Sequence, residues 1–449
     1  MKYIHSSSKW WMLASAALLL AACGDDTEEE ATGGDDPDDS AENGGEEGGE
    51  ISGDLEIQYF VGGYGDSWWK EIISDFEAEY PDVTVIEHAG PNINDEMRTR
   101  WISDDPPDVV YIDGAGSSET QMIEDNQLMD LTDWLDDVEL EDGSALLDNF
   151  IVEPNRHDGQ IYTLPLVFDT WGTWYNAGHF EAEGYEVPTD FDHFMEVMGD
   201  VQANEDISPF VTTGQHPYYF LRGMLYPAFA SVGGDELLAD IVTGAEGAWE
   251  TPEVVEIMEN VEQMQTEGFF DSGLGAFNHT QSQMNFILGD NAFIPVGFWL
   301  PNEMANDTPD DFEFGFIPSP MQAAGEPYRV VPDLRPLAIA ENAENPDAAK
   351  AFVDFAFNRE YGELFSEHTG AMVNITDIDL DGNENVPDYL ISANEMINDE
   401  SQVQINQLPH PMSADLEQPI SDALVSLMTG NIGAAEFIES AEAAAASYR

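Results

Sequence analysis

Four short stretches of the chain set flat aromatic rings beside hydrogen-bonding side chains. Tyr64 and Trp68 flank Asp66; Trp171 and Trp174 follow Asp169; Tyr218 and Tyr219 follow Gln215 and His216; Phe298 and Trp299 precede Asn302 and Glu303. Such pairs suit a ligand with an apolar face and a rim of hydroxyls, as a sugar ring has. The aromatic plane packs on the C–H face, while carboxylates, amides and imidazoles answer hydroxyls that both donate and accept. Asp113, in "YIDG", adds a further carboxylate. Trp69 and Trp174 read as core, and no single ring decides the matter. The recurrence of the pairing in four loops carries the reading.

Catalytic signatures are missing from this pattern. The chain has no G-x-S-x-G, H-E-x-x-H or C-x-x-C and no phosphate loop. Glycoside hydrolysis needs two carboxylates at a set separation, and among 91 acidic residues a paired carboxylate means little by itself. An enzyme using Asp113 or Asp169 stands as an alternative. The histidines are scattered, and His88 and His279 read as surface or structural. Neither a cofactor nor a metal is expected. The Tyr218-Tyr219 doublet lacks a companion His-carboxylate cluster in sequence, and "DIDLDGNENVPD" (377–388) closes on Asp388 where a calcium loop needs Glu. A receptor for a non-sugar solute (a compatible solute, a peptide or a metal) is the remaining alternative; a cationic solute such as betaine would be caged by Trp68, Trp171 and Trp299.

These loops need strands to hold them. "LEIQYF" (55–60) alternates like a strand, and a helix begins at Asp66 or Ser67 with Trp69, Ile72, Ile73 and Phe76 at core spacing. Strands follow at 81–88 and 109–112, and this β-α-β alternation predicts an α/β fold with a parallel sheet covered by helices on both faces. Further strands are expected at 161–168, 292–297, 312–317, 329–332 and 336–340. Long helices are expected at 188–203, 252–267, 346–357 and 432–447, the third announced by Asn345 and Pro346. Ligands of open α/β sheets gather beyond the carboxyl ends of the strands, which is where the aromatic loops fall.

The chain carries 12 basic against 91 acidic residues, a net charge of −79. No basic face for phosphate can be assembled, which excludes a nucleic-acid partner. An 11% aromatic share excludes a disordered polyanion. Acid spread over amphipathic segments is a solvated surface whose self-repulsion opposes folding in dilute buffer. In roughly 1 M salt, where the Debye length is about 3 Å, that repulsion is screened. The chain reads as one adapted to strong brine.

At the N-terminus, Lys2 and Lys9 precede an apolar stretch from Trp10 to Ala22 that is short for a membrane span. Leu20-Ala21-Ala22-Cys23 resembles a bacterial lipobox, which implies a signal peptide over 1–22 and lipidation of Cys23. Residues 23–50 are an acidic tether with almost nothing apolar. The folded part is thereby held at the extracellular face of the cytoplasmic membrane, on the periplasmic side if an outer membrane exists.

The ordered succession "DPPDVVYID", "DGQIYTLPLVFDTWGTWYN", "QHPYYF", "NAFIPVGFW" and "NPDAAKAFVDFAFNREYGELFSE" resembles the family 1 extracellular solute-binding proteins of ABC sugar importers, the group containing the maltose-binding protein. The resemblance covers about residues 53 to 447. It implies a two-lobe periplasmic-binding-protein fold (type II, Venus-flytrap) with a carbohydrate in the interlobe cleft. Residues 51–170 and 316–358 would form the N-terminal lobe, and 171–315 and 359–449 the C-terminal lobe. "QHPYYF" is similar to that group's Gln-Glu-Pro-Tyr-Phe, which makes Tyr218 a stacking residue, with His216 replacing a glutamate. "VGFW" is similar to Gly-Pro-Trp, which makes Trp299 another, with Phe298 beside it as the floor. "PMSADL" (411–416) departs from the group's aromatics at Asp415 and Leu416, against a maltodextrin ligand. "FWLPNEM" leans toward N-acetylglucosamine or chitooligosaccharides. The resemblance further implies transmembrane permease subunits as partners, no enzymatic activity and a monomer.

One outcome follows from the charge alone. Circular dichroism of the chain from Glu50 onward should show a cooperative fold in molar salt that is lost on dialysis into dilute buffer. An unchanged melt at low salt would refute adaptation to brine.

Overall fold

The computed structural model describes residues 51–449, and those from Glu50 onward form one compact unit. The leader, Cys23 and the tether fall outside the described residues. Among the described residues no helix is long and apolar enough to cross a membrane.

A six-stranded sheet begins the fold. Strand β1 (Gly53–Phe60) lies between β2 (Val83–Gly90) and β3 (Val109–Tyr111), and both pair with it in parallel. Helix Ser67–Glu79 makes the first crossover, burying Trp68, Trp69, Ile72, Ile73 and Phe76. Strand β4 (Thr163–Asp169) passes through Thr170 directly into β5 (Trp171–Asn176) of a second sheet. There β5 pairs antiparallel with β6 (Ile294–Gly297) on one side and β7 (Phe314–Ile317) on the other. The chain continues through β8 (Tyr328–Val330) and returns to the first sheet as β9 (Asp333–Ile339), antiparallel to both β3 and β4. A short β10 (Met372–Val373) closes the far edge against β4, and β11 (Val403–Ile405) pairs with β8.

The mixed α/β class matches the expectation, but within the six-stranded sheet the parallel character is confined to β2-β1-β3; β8 and β11 form a separate parallel pair. Strands β4 and β9 run the other way against their neighbours because they are the two passages between the sheets. Residues 359–373, drawn above with the second lobe, lie with the first sheet. Helix Arg359–Thr369 brings Phe365 edge-on to Trp68, with ring centroids 5.4 Å apart, and β10 extends the same sheet. The helix announced by Asn345 starts there, its side chain accepting from Ala348 N and Pro346 occupying the first turn.

The two passages meet at a charge problem. Asp169 on β4 stands opposite Asp333 on β9, and like charges directly opposite across a pair of strands destabilise it. Arg335, two residues along the same strand, resolves this. Its guanidinium lies 3.0 Å from Asp169 Oδ2, 3.2 Å from Asp333 Oδ2 and 3.3 Å from Asp113 Oδ1. Asp169 has no exposed surface, so removing the guanidinium strands a buried carboxylate. Arg335→Met should cost about 3–5 kcal/mol, read as a lowered midpoint of chemical unfolding in molar salt. A change within error would show that the carboxylates are compensated elsewhere.

Candidate functional site

Between the two sheets lies a cavity of about 850 Å³. Its walls come from the β1 turn (Phe60 to Gly65), the β3 end (Asp113, Gly114), Trp171, Tyr218, Tyr219, Arg222, His279, Trp299, Asn302, Glu303 and Arg335. An adjoining compartment of about 320 Å³ shares Gly114, Trp171, Arg222 and Arg335 and continues to Tyr226, Gln407 and His410. A separate hollow of about 690 Å³, lined by Glu313, Phe314, His368 and Tyr389, gathers none of the four aromatic loops apart from Pro301 and Asn302.

Local pairing explains how the rings meet. Trp171 opens β5 opposite Gly297, the last residue of β6, so Trp299 two residues later reaches it; their centroids lie 4.6 Å apart, edge to face. Tyr219 stands edge-on to Trp171 at 5.0 Å, and Tyr218 at 6.3 Å. Trp171 is 3% exposed, with its indole nitrogen buried beside Asp333. It buttresses the half-buried Trp299 and Tyr218. The turn between β1 and its helix closes over them: a Cβ on Gly63 would lie 2.8 Å from that of Trp299, so only glycine permits the approach. Asn302 Nδ2 donates to the Gly63 carbonyl across the cleft.

Of the residues expected from the sequence, Tyr64, Asp113, Trp171, Tyr218, Trp299 and Glu303 line the cavity. The others do not. Trp68 is buried and donates from Nε1 to the Tyr361 carbonyl at 2.9 Å. Phe298 is buried against Phe316 at 4.6 Å and Trp174 at 6.0 Å, so it belongs to the core and only Trp299 offers a surface. Asp66 lies outside the cavity and pairs with Lys70. Gln215 is exposed and donates to the Ala276 carbonyl at 2.9 Å. Asp169 lies behind the wall, where it accepts from Phe298 N at 3.3 Å. His216 stands next to the cavity, its ring 5.9 Å from Tyr218 and 5.6 Å from His279.

Three titratable or charged lining residues were not foreseen. His279 opens a helix capped by Asn278 and Gln281, and its Nε2 lies 3.3 Å from Glu303 Oε1. Glu303 also accepts from Gln283 at 3.0 Å. Arg222 follows Tyr218 through a widened π-type turn, a feature frequent at functional sites. It lies 4.9 Å from the Tyr218 ring centre and 5.9 Å from that of Trp171, held by Asp333 at 3.1 Å and Glu417 at 3.3 Å. The third is Arg335. A signal was present for both arginines: in a chain with 12 basic residues, one inside "DLRPLAI" or "YFLRGMLY" sits among apolar neighbours.

The electrostatics follow from burial and pairing. Burial raises the Asp113 carboxyl, with Arg335 opposing. It pushes Asp169 up to about 6 against the same guanidinium. Burial also works to raise Asp333, but Arg335 and Arg222 together bring it below the ordinary carboxylate range. The hydrogen bond to Glu303 raises His279, against burial, while burial and the neighbouring His279 lower His216. Among the described residues no cluster of His, Cys, Asp or Glu is arranged to hold a metal. The cavity offers aromatic faces and a carboxylate on each side, the means to hold a neutral polar ring.

The family described as bacterial extracellular solute-binding protein matches residues 62–363. The chain is 22% identical over 332 residues to the diacetylchitobiose binding protein NgcE of Streptomyces coelicolor, covering 71% of this chain and 69% of that protein. It is 22% identical over 325 residues to the multiple sugar-binding protein of Streptococcus mutans, covering 71% and 74%. A solved structure from work on xylan utilisation by the thermophilic bacterium Caldanaerobius polysaccharolyticus aligns with a TM-score of 0.69 at 17% identity, over 87% of this chain and 99% of that one.

The histidine pair yields a checkable consequence. By NMR, His279 should titrate above the ordinary value of about 6.5 and His216 below it. A histidine whose folded pKa is raised contributes stability that is present below its unfolded pKa and lost as pH rises through the folded one. The stability difference between the protein and His279→Gln should therefore shrink as pH rises past about 6.5. Titration of His279 below His216 would overturn the assignment of its partner.

Proposed function

Since the chain belongs to the bacterial extracellular solute-binding proteins, we propose that it binds a sugar or oligosaccharide in the cleft between its sheets and presents it to the permease of an ABC importer. The carrying observation is the convergence of Trp299, Tyr218 and Trp171 with Asp113, Asn302, Glu303 and His279 around one cavity. Trp299 and Tyr218 would take the C–H faces of the ring, and the polar groups its hydroxyls. Relatives described as diacetylchitobiose and multiple-sugar binding proteins support a carbohydrate ligand. No bond is made or broken in this reading.

The mechanism is a shift of population. Wall residues come from both sheets, so a ligand touches all of them only when the halves are together, and that contact energy favours the closed form. Each half is built on one sheet, β1–β4 with β9 and β10 in the first, β5–β7 in the second, and the β4–β5 and β8–β9 passages are the hinge. Anchoring through a lipid on Cys23, an acidic tether and action as a monomer in brine complete the proposal.

Intrinsic tryptophan fluorescence in molar salt tests it, with N-acetylglucosamine, chitobiose, maltose, xylobiose and glucose as probes and betaine as the outsider. One sugar should give a saturable change without turnover. Trp299→Ala should weaken that binding by about 2 kcal/mol or more, as a central aromatic does, and leave the fold intact. A response to betaine alone would assign the rings to a cationic solute; product release from an oligosaccharide would assign an enzyme.

A further inference from the structure

The charge of the cleft bears on which sugars it admits, an inference that rests on the sugar reading just given. Two guanidiniums reach the wall, and neither is free. Arg335 is shared among Asp113, Asp169 and Asp333, at 3.0 to 3.3 Å. Arg222 is shared between Asp333 and Glu417, at 3.1 and 3.3 Å. Two positive charges thus serve four carboxylates, and Glu303 adds another on the opposite wall, where His279 is its partner.

The accessible edge of this network is Asp113. Both polar contacts of its carboxylate, Gly114 N at 2.7 Å and Arg335 Nε at 3.3 Å, fall on Oδ1. Among the described residues the second oxygen has no polar partner, and the residue lines the cavity. The ring of Trp299 lines the same cavity, and its π face also attracts a cation.

We propose that the cleft selects its sugar by charge: it admits neutral sugars, favours one with a protonated amine set against Asp113, and rejects sugars carrying a carboxylate or phosphate. An anion entering here would meet Asp113 and Glu303, and could gain a guanidinium only by taking it from buried carboxylates, which costs more than it returns. An ammonium instead adds the positive charge that the network lacks. Strong brine does not erase the distinction, because a desolvated pair in contact is screened far less than exposed charges.

The test uses the chain from Glu50 onward, which forms a compact unit. Fluorescence titrations would be run in roughly 1 M salt, at about pH 6.5, below the ordinary range of an α-amino group. The probes share one skeleton: cellobiose, the β-1,4 glucosamine dimer, its N-acetylated form and cellobiouronic acid. Glucose, glucosamine and glucuronate repeat the comparison without a linkage. The amine should bind about tenfold tighter than its neutral counterparts and the acid about tenfold weaker, the worth of one charge-assisted hydrogen bond. Asp113→Asn should bring the ratio of amine to neutral affinity to within about twofold. Asp290→Asn, at an exposed acid that is not part of the cavity lining, should leave that ratio unchanged. The ratio should also persist in roughly 3 M salt, which separates contact with Asp113 from general attraction to a polyanion.

An acid that binds as well as cellobiose, or an amine without advantage, overturns charge selection while leaving the sugar reading intact. An advantage that survives Asp113→Asn or vanishes in higher salt overturns the role of Asp113. Silence from every probe overturns the sugar reading and this inference with it.

Discussion

Arg335 holds together three carboxylates that would otherwise repel one another at the place where the chain passes between its sheets. Asp169 and Asp333 are register partners on the two passages, and Asp113 lies two residues beyond the neighbouring strand. At an effective dielectric near 20, a unit-charge pair at about 4 Å is worth roughly 4 kcal/mol. A guanidinium contacting three acids therefore decides whether these strands can lie side by side. The contact also fixes function, since Asp113 and Arg335 are wall residues and Trp171 begins two residues after Asp169. The strand passages and the back of the cleft share these residues, so the ion network is part of both.

The acidity of the chain divides into two kinds with opposite physics. Exposed carboxylates repel one another through water, and salt removes most of that cost. Buried ones cannot be screened by salt and must be paired. With only 12 basic residues available, placing Arg222 and Arg335 inside is a commitment of scarce charge. It leaves the outer surface almost wholly anionic and the cleft wall still short of positive charge. The same shortage of basic residues that leaves the surface acidic gives the cleft its electrostatic character.

Much of the fold was legible because it is written in periods. The alternation in "LEIQYF", the spacing of Trp69, Ile72, Ile73 and Phe76, and the Asn345-Pro346 start each appear in the structure as read. Adjacent aromatics were not separable this way. Trp68 and Trp69 are both buried because their helix lies between the sheet, where Trp69 stacks on Tyr59 at 4.6 Å, and helix Arg359–Thr369, where Phe365 meets Trp68. That second surface arrives from nearly three hundred residues away. Phe298 and Trp299 part for a similar reason: β7 supplies Phe316 to one and nothing to the other. The antiparallel course of β4 and β9 was likewise hidden, since strand direction depends on where the chain returns.

Why rings so close to solvent remain in place is answered by their geometry. Trp171 meets Tyr219 and Trp299 at interplanar angles of 76° and 83°, edges to faces, the arrangement the aromatic quadrupole favours. An edge-on buttress fixes a ring's position without covering it, so Trp299 keeps an open surface while losing its freedom to rotate. The approach of Gly63 and the Asn302 bond to its carbonyl then join the two halves at the same ring. A ligand placed against Trp299 adds to a contact between the halves that already exists. Its binding energy need only strengthen closure, because the ordering of the aromatic wall is already complete before it arrives.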